Sequence, residues 1–254
     1  MPDARTFLIG GGWDPDAAPA VYGPFVRTVA PGAAIRCLVL AGEGADAYGE
    51  RFAEALSLAG ADPASVAVQL VSTERPPRRE ELEGVGGVLV CGGLTPGYQE
   101  VLCGVGRPWF EAVRSRNLPY AGFSAGAALA ARRALVGGWR ISAGDAQVAV
   151  CDEEASEDLD LVEVRDGLGL VPFSVDVHAT QWGTVPRLLH AVAQGLTDEG
   201  WAIDEDTMVE VAEGTATVHG TGSVYRMRRA EGEVRVTVLP QGTRVAVSPG
   251  PTRR

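Results

Sequence analysis

The sequence predicts an α/β protein: a mostly parallel sheet flanked by helices, with short β-hairpins extending one edge. Three observations carry this. Short continuous apolar runs alternate with segments of helical spacing, as in strands buried on both faces. Glycines stand where those runs end, at positions 10–12, 42 and 44, and 92–93. One such run feeds directly into Gly122-Phe123-Ser124-Ala125-Gly126 and then into a tract of helix-forming alanines.

Taken in order, Phe7-Leu8-Ile9 is a buried strand, and 34–41 is a second. The spacing of Phe52, Ala55, Leu56 and Ala59 predicts a helix over 48–60, with Gly60 at its stop. A third strand follows at 66–71 and a fourth at 87–91; helices open at 98–102 and 109–114. The fifth strand leads to Ser124, and the helix after it should run to about Arg133, before Gly137-Gly138. The acidic stretch from Asp145 to Asp160 reads as solvated surface. Strands then lead to Ser174-Val175-Asp176-Val177-His178, a helix covers 185–192, and Trp201-Ala202-Ile203 is another strand. Four short β patterns, at 208–211, 216–219, 224–227 and 234–239, supply the hairpins. With no repeat or linker, residues 1–254 are expected to form one domain, with a frayed tail over 249–254.

Composition narrows the function classes. The chain has 254 residues, 46% apolar and 22% charged, and a net charge of −11. That balance argues against nucleic acid and against an anionic membrane surface, since both need clustered cations. Cys37, Cys91, Cys103 and Cys151 form no Cys-x-x-Cys pair and read as incidental thiols of a reduced compartment rather than a disulfide frame or metal site. The first residues lack the basic head and long apolar stretch of a signal peptide, and no segment approaches the ~20 apolar residues of a membrane span. The expectation is a cytoplasmic protein without metal or other cofactor.

The chemistry centres on Ser124. A strand turning sharply into a helix leaves room only for glycine on either side of the apex, and it holds the hydroxyl at a helix N-terminus. A serine needs a base to become nucleophilic. Of His178, His190 and His219, His178 is favoured because it follows an apolar strand and opens a polar loop; His190 falls on a helix surface and His219 in a strand. The N–H of Ala125 and that of Gly93, in the turn after the fourth strand, are the candidates for an oxyanion hole.

These residues resemble the S51 serine peptidases, dipeptidase E and cyanophycinase. The resemblance rests on Gly-Phe-Ser-Ala-Gly-Ala, Gly92-Gly93-Leu94-Thr95, Gly167-Leu168-Gly169-Leu170 leading to Asp176-Val177-His178, Ala202-Ile203-Asp204-Glu205-Asp206-Thr207 and Gly220-Thr221-Gly222-Ser223-Val224-Tyr225. It implies a class I glutamine amidotransferase-like fold, a flavodoxin-like three-layer arrangement. It also implies metal-free hydrolysis of a small peptide or isopeptide bond beside an acidic residue, with Ser124 as nucleophile, His178 as base, and Gly93 and Ala125 as oxyanion hole. The chain departs from cyanophycinases in Val177 and in keeping only Arg187 of the arginines that follow the histidine, so cyanophycin itself is not the expected substrate.

Asp145, the nearest carboxylate after Gly137-Gly138-Trp139-Arg140, is the candidate to orient His178; Asp152, Glu153 and Glu154 are alternatives. Arg187 and Arg140 are the candidate partners of an acidic side chain, although Arg187 also suits a helix surface. Thr95 and Gln181 complete the expected substrate-binding set. Two rival readings remain: an α/β-hydrolase-like esterase using His219, and a non-catalytic binding or regulatory protein. The expected partner is a small peptide or isopeptide, with a homodimer left open.

Overall fold

The computed structural model describes residues 5–247. Its strands in chain order are β1 (Thr6–Ile9), β2 (Ala34–Leu40), β3 (Val66–Val71), β4 (Val85–Val90), β5 (Tyr120–Phe123), β6 (Arg133–Gly137), β7 (Arg140–Ala143) and β8 (Ala146–Ala149). Then come β9 (Glu163–Asp166), β10 (Ser174–Asp176), β11 (Glu199–Ile203), β12 (Thr207–Ala212), β13 (Thr215–Gly220), β14 (Ser223–Ala230), β15 (Glu233–Pro240) and β16 (Arg244–Ala246). The α-helices are α1 (Ala18–Val21), α2 (Gly23–Val26), α3 (Ala45–Leu58), α4 (Thr95–Gln99), α5 (Arg107–Ser115), α6 (Ala125–Ala130) and α7 (Val185–Ala193). The tail at 249–254 lies outside the described residues.

The main sheet has eight strands in the order β16-β13-β12-β1-β5-β4-β2-β3. From β1 to β3 all neighbours are parallel, and β12, β13 and β16 add antiparallel strands at the other edge. Alternate residues of the parallel strands enter different cores, because successive side chains of a strand point to opposite faces. Leu8, Leu38 and Val90 pack on one side with Trp109, Phe110 and Leu129. Phe7, Ile9, Val39 and Phe123 pack on the other with Phe25 and Phe52. Helices therefore cover both faces, as the continuous apolar runs require.

The C-terminal strands extend the main sheet as expected through β12, β13 and β16, and two details differ. Of the C-terminal hairpins only β12–β13 extends the main sheet; β14 pairs antiparallel with β11, and β14–β15 belongs to a second sheet ordered β10-β11-β14-β15. Sequence pattern gave both hairpins the same look, but Val224 and Met227 of β14 are fully buried beside the strand carrying Trp201. The elbow helix also ends at Ala130, not Arg133. Its last carbonyls are claimed by another segment: Leu129 O accepts from Leu168 N–H, Ala130 O from Leu170 N–H and Ala131 O from Gly169 N–H. Ala131 turns extended (φ −61°, ψ 152°), and Arg133 starts β6, which pairs with β9.

The elbow itself is set by close backbone approach. A Cβ on Gly126 would strike the carbonyl of Val90, and one on Gly122 would strike that of Gly126. Neither obstacle is a flexible side chain that could move aside. Gly126→Ala is expected to cost about 3 kcal/mol, read as a lowered denaturation midpoint; a change within about 0.5 kcal/mol would contradict this packing.

Candidate functional site

Strand β1 ends where the chemistry gathers, at the carboxyl edge of the parallel strands. Its terminal carbonyls are not used within the strand pairings alone. Ile9 O accepts from Ser124 N–H at 2.9 Å, Gly10 O from His178 N–H at 2.9 Å, and Gly11 O from Asp206 N–H at 2.8 Å. Three segments distant in sequence are thereby hung side by side.

Ser124 stands at the elbow with φ 50° and ψ −109°, a strained conformation for a residue with a side chain. Its Oγ lies 2.8 Å from His178 Nε2. His178 also has a positive φ, 52°. Its Nδ1 lies 2.7 Å from Glu205 Oε1, in the turn between β11 and β12. Gly11 (φ +113°) makes room for this imidazole, because a Cβ there would overlap the ring. The indole of Trp182 stacks on the other side at 4.1 Å between centroids. Burial lowers the pKa of His178 below the ordinary 6.5 and outweighs the bond and charge of Glu205, which act to raise it. The ring is thus neutral at neutral pH, with one nitrogen free to accept a proton.

Glu205 is the residue that the sequence reading passed over. Asp145 sits exposed in the turn joining β7 to β8 and makes no contact with His178. After the elbow helix, where the acid was expected, the chain instead makes the β7–β8 hairpin. A usable signal was present: Asp204-Glu205-Asp206 directly follows the apolar run Trp201-Ala202-Ile203, so these acids had to emerge at a strand's carboxyl end. The neighbours hold the turn rigid. Asp204 Oδ1 accepts from Thr180 N–H (3.0 Å) and Oγ–H (2.7 Å), and its Oδ2 accepts from Ser223 N–H (2.9 Å).

The expected substrate residues fare differently. Gly93 lines the cleft beside Ser124 and has φ +136°. Ala125 is the first residue of α6, where main-chain N–H groups have no intrahelical acceptor. Gln181 does not line the cleft; its Oε1 accepts from Glu205 N–H at 3.0 Å. Thr95 is buried, and its N–H donates to Glu157 Oε2 at 2.8 Å. Arg140 lies over Trp139 and pairs with Asp160 at 3.3 Å, away from the cleft.

Arg187 is a second correction. It is only 4% exposed and grips Asp176 through two bonds, Nε–Oδ2 at 2.9 Å and Nη2–Oδ1 at 2.6 Å. Its Nη1 donates to the carbonyls of Gly138 and Ala155. Burial alone would lower its pKa, but the Asp176 carboxylate raises it, so the guanidinium stays charged. It is internal framing, not a substrate contact. His190 is exposed on α7. His219 lies in β13 with Nε2 3.2 Å from Glu210 Oε2, and the histidine at Ser124 is His178.

The cleft around Ser124 has a volume of about 950 Å³. One wall is the segment expected to be solvated surface: Asp152, Glu153, Glu154, Glu157 and Asp158 all line it. Among the described residues no group of three or more His, Cys, Asp or Glu converges to hold a metal ion, and no helix is long and apolar enough to cross a membrane.

The fold is a peptidase E-like α/β fold, shared with two solved structures. A crystal structure of a peptidase from an acI-B1 Actinobacterium superposes with a TM-score of 0.67 at 14% identity, covering 96% of this chain and 97% of that one. A putative peptidase E protein from Listeria monocytogenes EGD-e superposes with a TM-score of 0.56 at 16% identity, covering 87% and 100%. No family model matches the chain. In sequence, the chain is similar to the cyanophycinases of Trichormus variabilis and of a Nostoc species, 36% identical to each over 154 residues, or 58% of this chain. The match spans 46% of the length of those relatives, about half. These relatives agree with the S51 resemblance carried by the motifs.

The framing role of Arg187 is testable. Arg187→Met leaves Asp176 buried without its partner and should lower stability by about 3–5 kcal/mol, measured by urea unfolding. A fully stable variant with weakened ligand binding would restore the substrate-contact role.

Proposed function

We propose that this protein is a serine peptidase that hydrolyses a small peptide or isopeptide bond through an acyl-enzyme. The observation that carries the reading is the continuous chain Ser124 Oγ–His178 Nε2 (2.8 Å) and His178 Nδ1–Glu205 Oε1 (2.7 Å). An elbow serine, a neutral buried histidine and a carboxylate behind it are the parts that acyl transfer needs. The similarity to cyanophycinases supports the same class of reaction.

In this reading His178 keeps its proton on Nδ1 and donates it as a hydrogen bond to Glu205 Oε1, which leaves Nε2 as the base. As Ser124 Oγ forms its bond to the substrate carbonyl carbon, its proton passes to Nε2. The carbonyl oxygen takes up the negative charge and faces the N–H groups of Ala125 and Gly93. The imidazolium then returns the proton to the departing amine as the C–N bond breaks. Water, deprotonated by the same nitrogen, releases the acid product and restores the serine. Glu205 is a positioning residue throughout, fixing the ring's tautomer and supporting its transient charge. The preference for an acidic neighbour implied by the S51 resemblance is not part of the proposal, because neither Arg140 nor Arg187 reaches the cleft.

A screen of dipeptides and β-linked isopeptides tests the assignment. Ser124→Ala and His178→Ala should abolish hydrolysis while His219→Ala leaves it intact; loss confined to the His219 variant would instead support the esterase-type arrangement. A second expectation concerns pH. Because only neutral His178 is competent and burial holds its pKa below 6.5, kcat/KM should rise through a midpoint below that value and then level off. Glu205→Gln should reduce kcat/KM roughly 10²–10⁴-fold and move the midpoint lower still, since the lost carboxylate was raising it. An unshifted midpoint would argue that Glu205 merely packs there.

A further inference from the structure

A second cavity, of about 210 Å³, lies on the far side of Trp13 from the catalytic cleft, between the loop after β1 and one face of α3. Gly12 and Trp13 line both spaces. Trp13 packs on Phe123, the residue before Ser124, with 4.9 Å between ring centroids. Asp206, on the cavity wall, directly follows Glu205. The cavity therefore abuts the segments carrying the nucleophile and the acid, yet contains neither. Its volume falls below the roughly 300–1,000 Å³ of pockets for drug-sized ligands, which suits a molecule the size of one amino acid and excludes a peptide.

The polar groups around it are left unpaired in both signs. Arg51 and Glu54 stand one turn apart on the same face of α3, a spacing at which opposite charges can meet. They form no ion pair with each other or with any other described residue. The Arg51 guanidinium lies over the Trp13 ring instead, at 4.0 Å. Of the Asp206 carboxylate only Oδ1 is engaged among the described residues, by Asp14 N–H at 3.1 Å. Tyr22, whose ring forms part of the wall, is 3% exposed, and its hydroxyl is buried without a hydrogen-bond partner among the described residues. Burial holds the proton on that phenol, and the charge of Asp206 adds to the effect. Buried polar groups in native proteins are nearly always paired, so an orphan beside a cavity points to something that fills it.

The lining also selects the occupant. One guanidinium faces three carboxylates, those of Asp14, Glu54 and Asp206. A plain anion would meet more repulsion than attraction, and a plain cation would leave Arg51 unmatched. The remaining wall is apolar, with Ala18, Val21 and Leu58. We propose that this cavity is a binding site for a free α-amino acid with an aliphatic side chain. The carboxylate of the ligand pairs with Arg51, its ammonium with Asp206 and Glu54, and its side chain rests on the apolar wall. The site is distinct from the cleft over Ser124 and does not depend on what that cleft hydrolyses.

Calorimetric titration of the unmodified protein with L-leucine tests this, with three analogues as comparison. Leucine should bind with a Kd below about 1 mM. Leucinamide, which lacks the carboxylate, and 4-methylpentanoate, which lacks the ammonium, should each bind about tenfold or more weakly. L-Aspartate, whose side chain would meet the apolar wall, should also bind more weakly than leucine. Arg51→Met and Glu54→Gln, both at exposed positions of α3, should each weaken leucine about tenfold, while Trp182→Ala in the catalytic cleft leaves it unchanged. A Kd for leucine above about 1 mM, or equal affinity for leucine and the two truncated analogues, overturns the proposal. So does leucine binding that survives both α3 substitutions and is lost in Trp182→Ala, which would place the amino acid in the catalytic cleft. No arm of the titration requires hydrolysis, so failure of the amino-acid site leaves the peptidase reading standing, and an inactive Ser124 leaves the site standing.

Discussion

Three consecutive carbonyls at the end of β1 hold the site together. Ile9, Gly10 and Gly11 accept main-chain N–H groups of Ser124, His178 and Asp206, whose segments are separated from one another by tens of residues along the chain. Parallel strands leave their last carbonyls pointing beyond the sheet, and here each holds one of these segments. The arrangement needs glycine at its centre. A side chain on Gly10 would meet the carbonyls of Ile203 and Asp204, and one on Gly11 would meet the His178 ring. The spacing between the segments bearing Ser124, His178 and Asp206 is therefore set by the main chain at the end of one strand and not by the side chains themselves.

The same segments carry backbone strain. Ser124 and His178 both have positive φ without being glycine, a conformation that costs of order 1–3 kcal/mol each. It is sustained because every neighbouring element is locked. The elbow is wedged between β4 and β5, Trp182 caps the imidazole, and Asp204 spends both carboxylate oxygens fixing the loops on either side of Glu205. The buried Arg187–Asp176 pair extends this framework outward. It links the strand before His178 to the carbonyls of Gly138 and Ala155, and so to the acidic wall.

That link explains why charged residues in this chain behave against their sequence appearance. A run of carboxylates normally dissolves into solvent, and an arginine near a histidine normally suggests recognition. Here the arginine is internal and the carboxylates line the cleft. The exchange follows from the desolvation cost of a buried guanidinium, which only a fully satisfied set of acceptors offsets. Asp176 and two main-chain carbonyls supply that set, and the segment bearing Ala155 lines the cleft beside Ser124.

The sequence by itself determined the layered α/β fold, the elbow and the adjacency of Ser124 and His178. Each of these is encoded locally, in apolar runs, in glycines that no other residue can replace, and in a histidine placed where a buried strand ends. It did not determine which carboxylate stands behind the histidine, which sheet β14 and β15 join, or which way Arg187 faces. Those depend on how elements far apart in the chain meet. Glu205 reaches His178 because β11 and β12 belong to different sheets and the turn between them crosses the end of β1. A linear pattern carries the periodicity of each strand but not the crossing. The long-range hydrogen bonds that decide it exist only once the chain has folded.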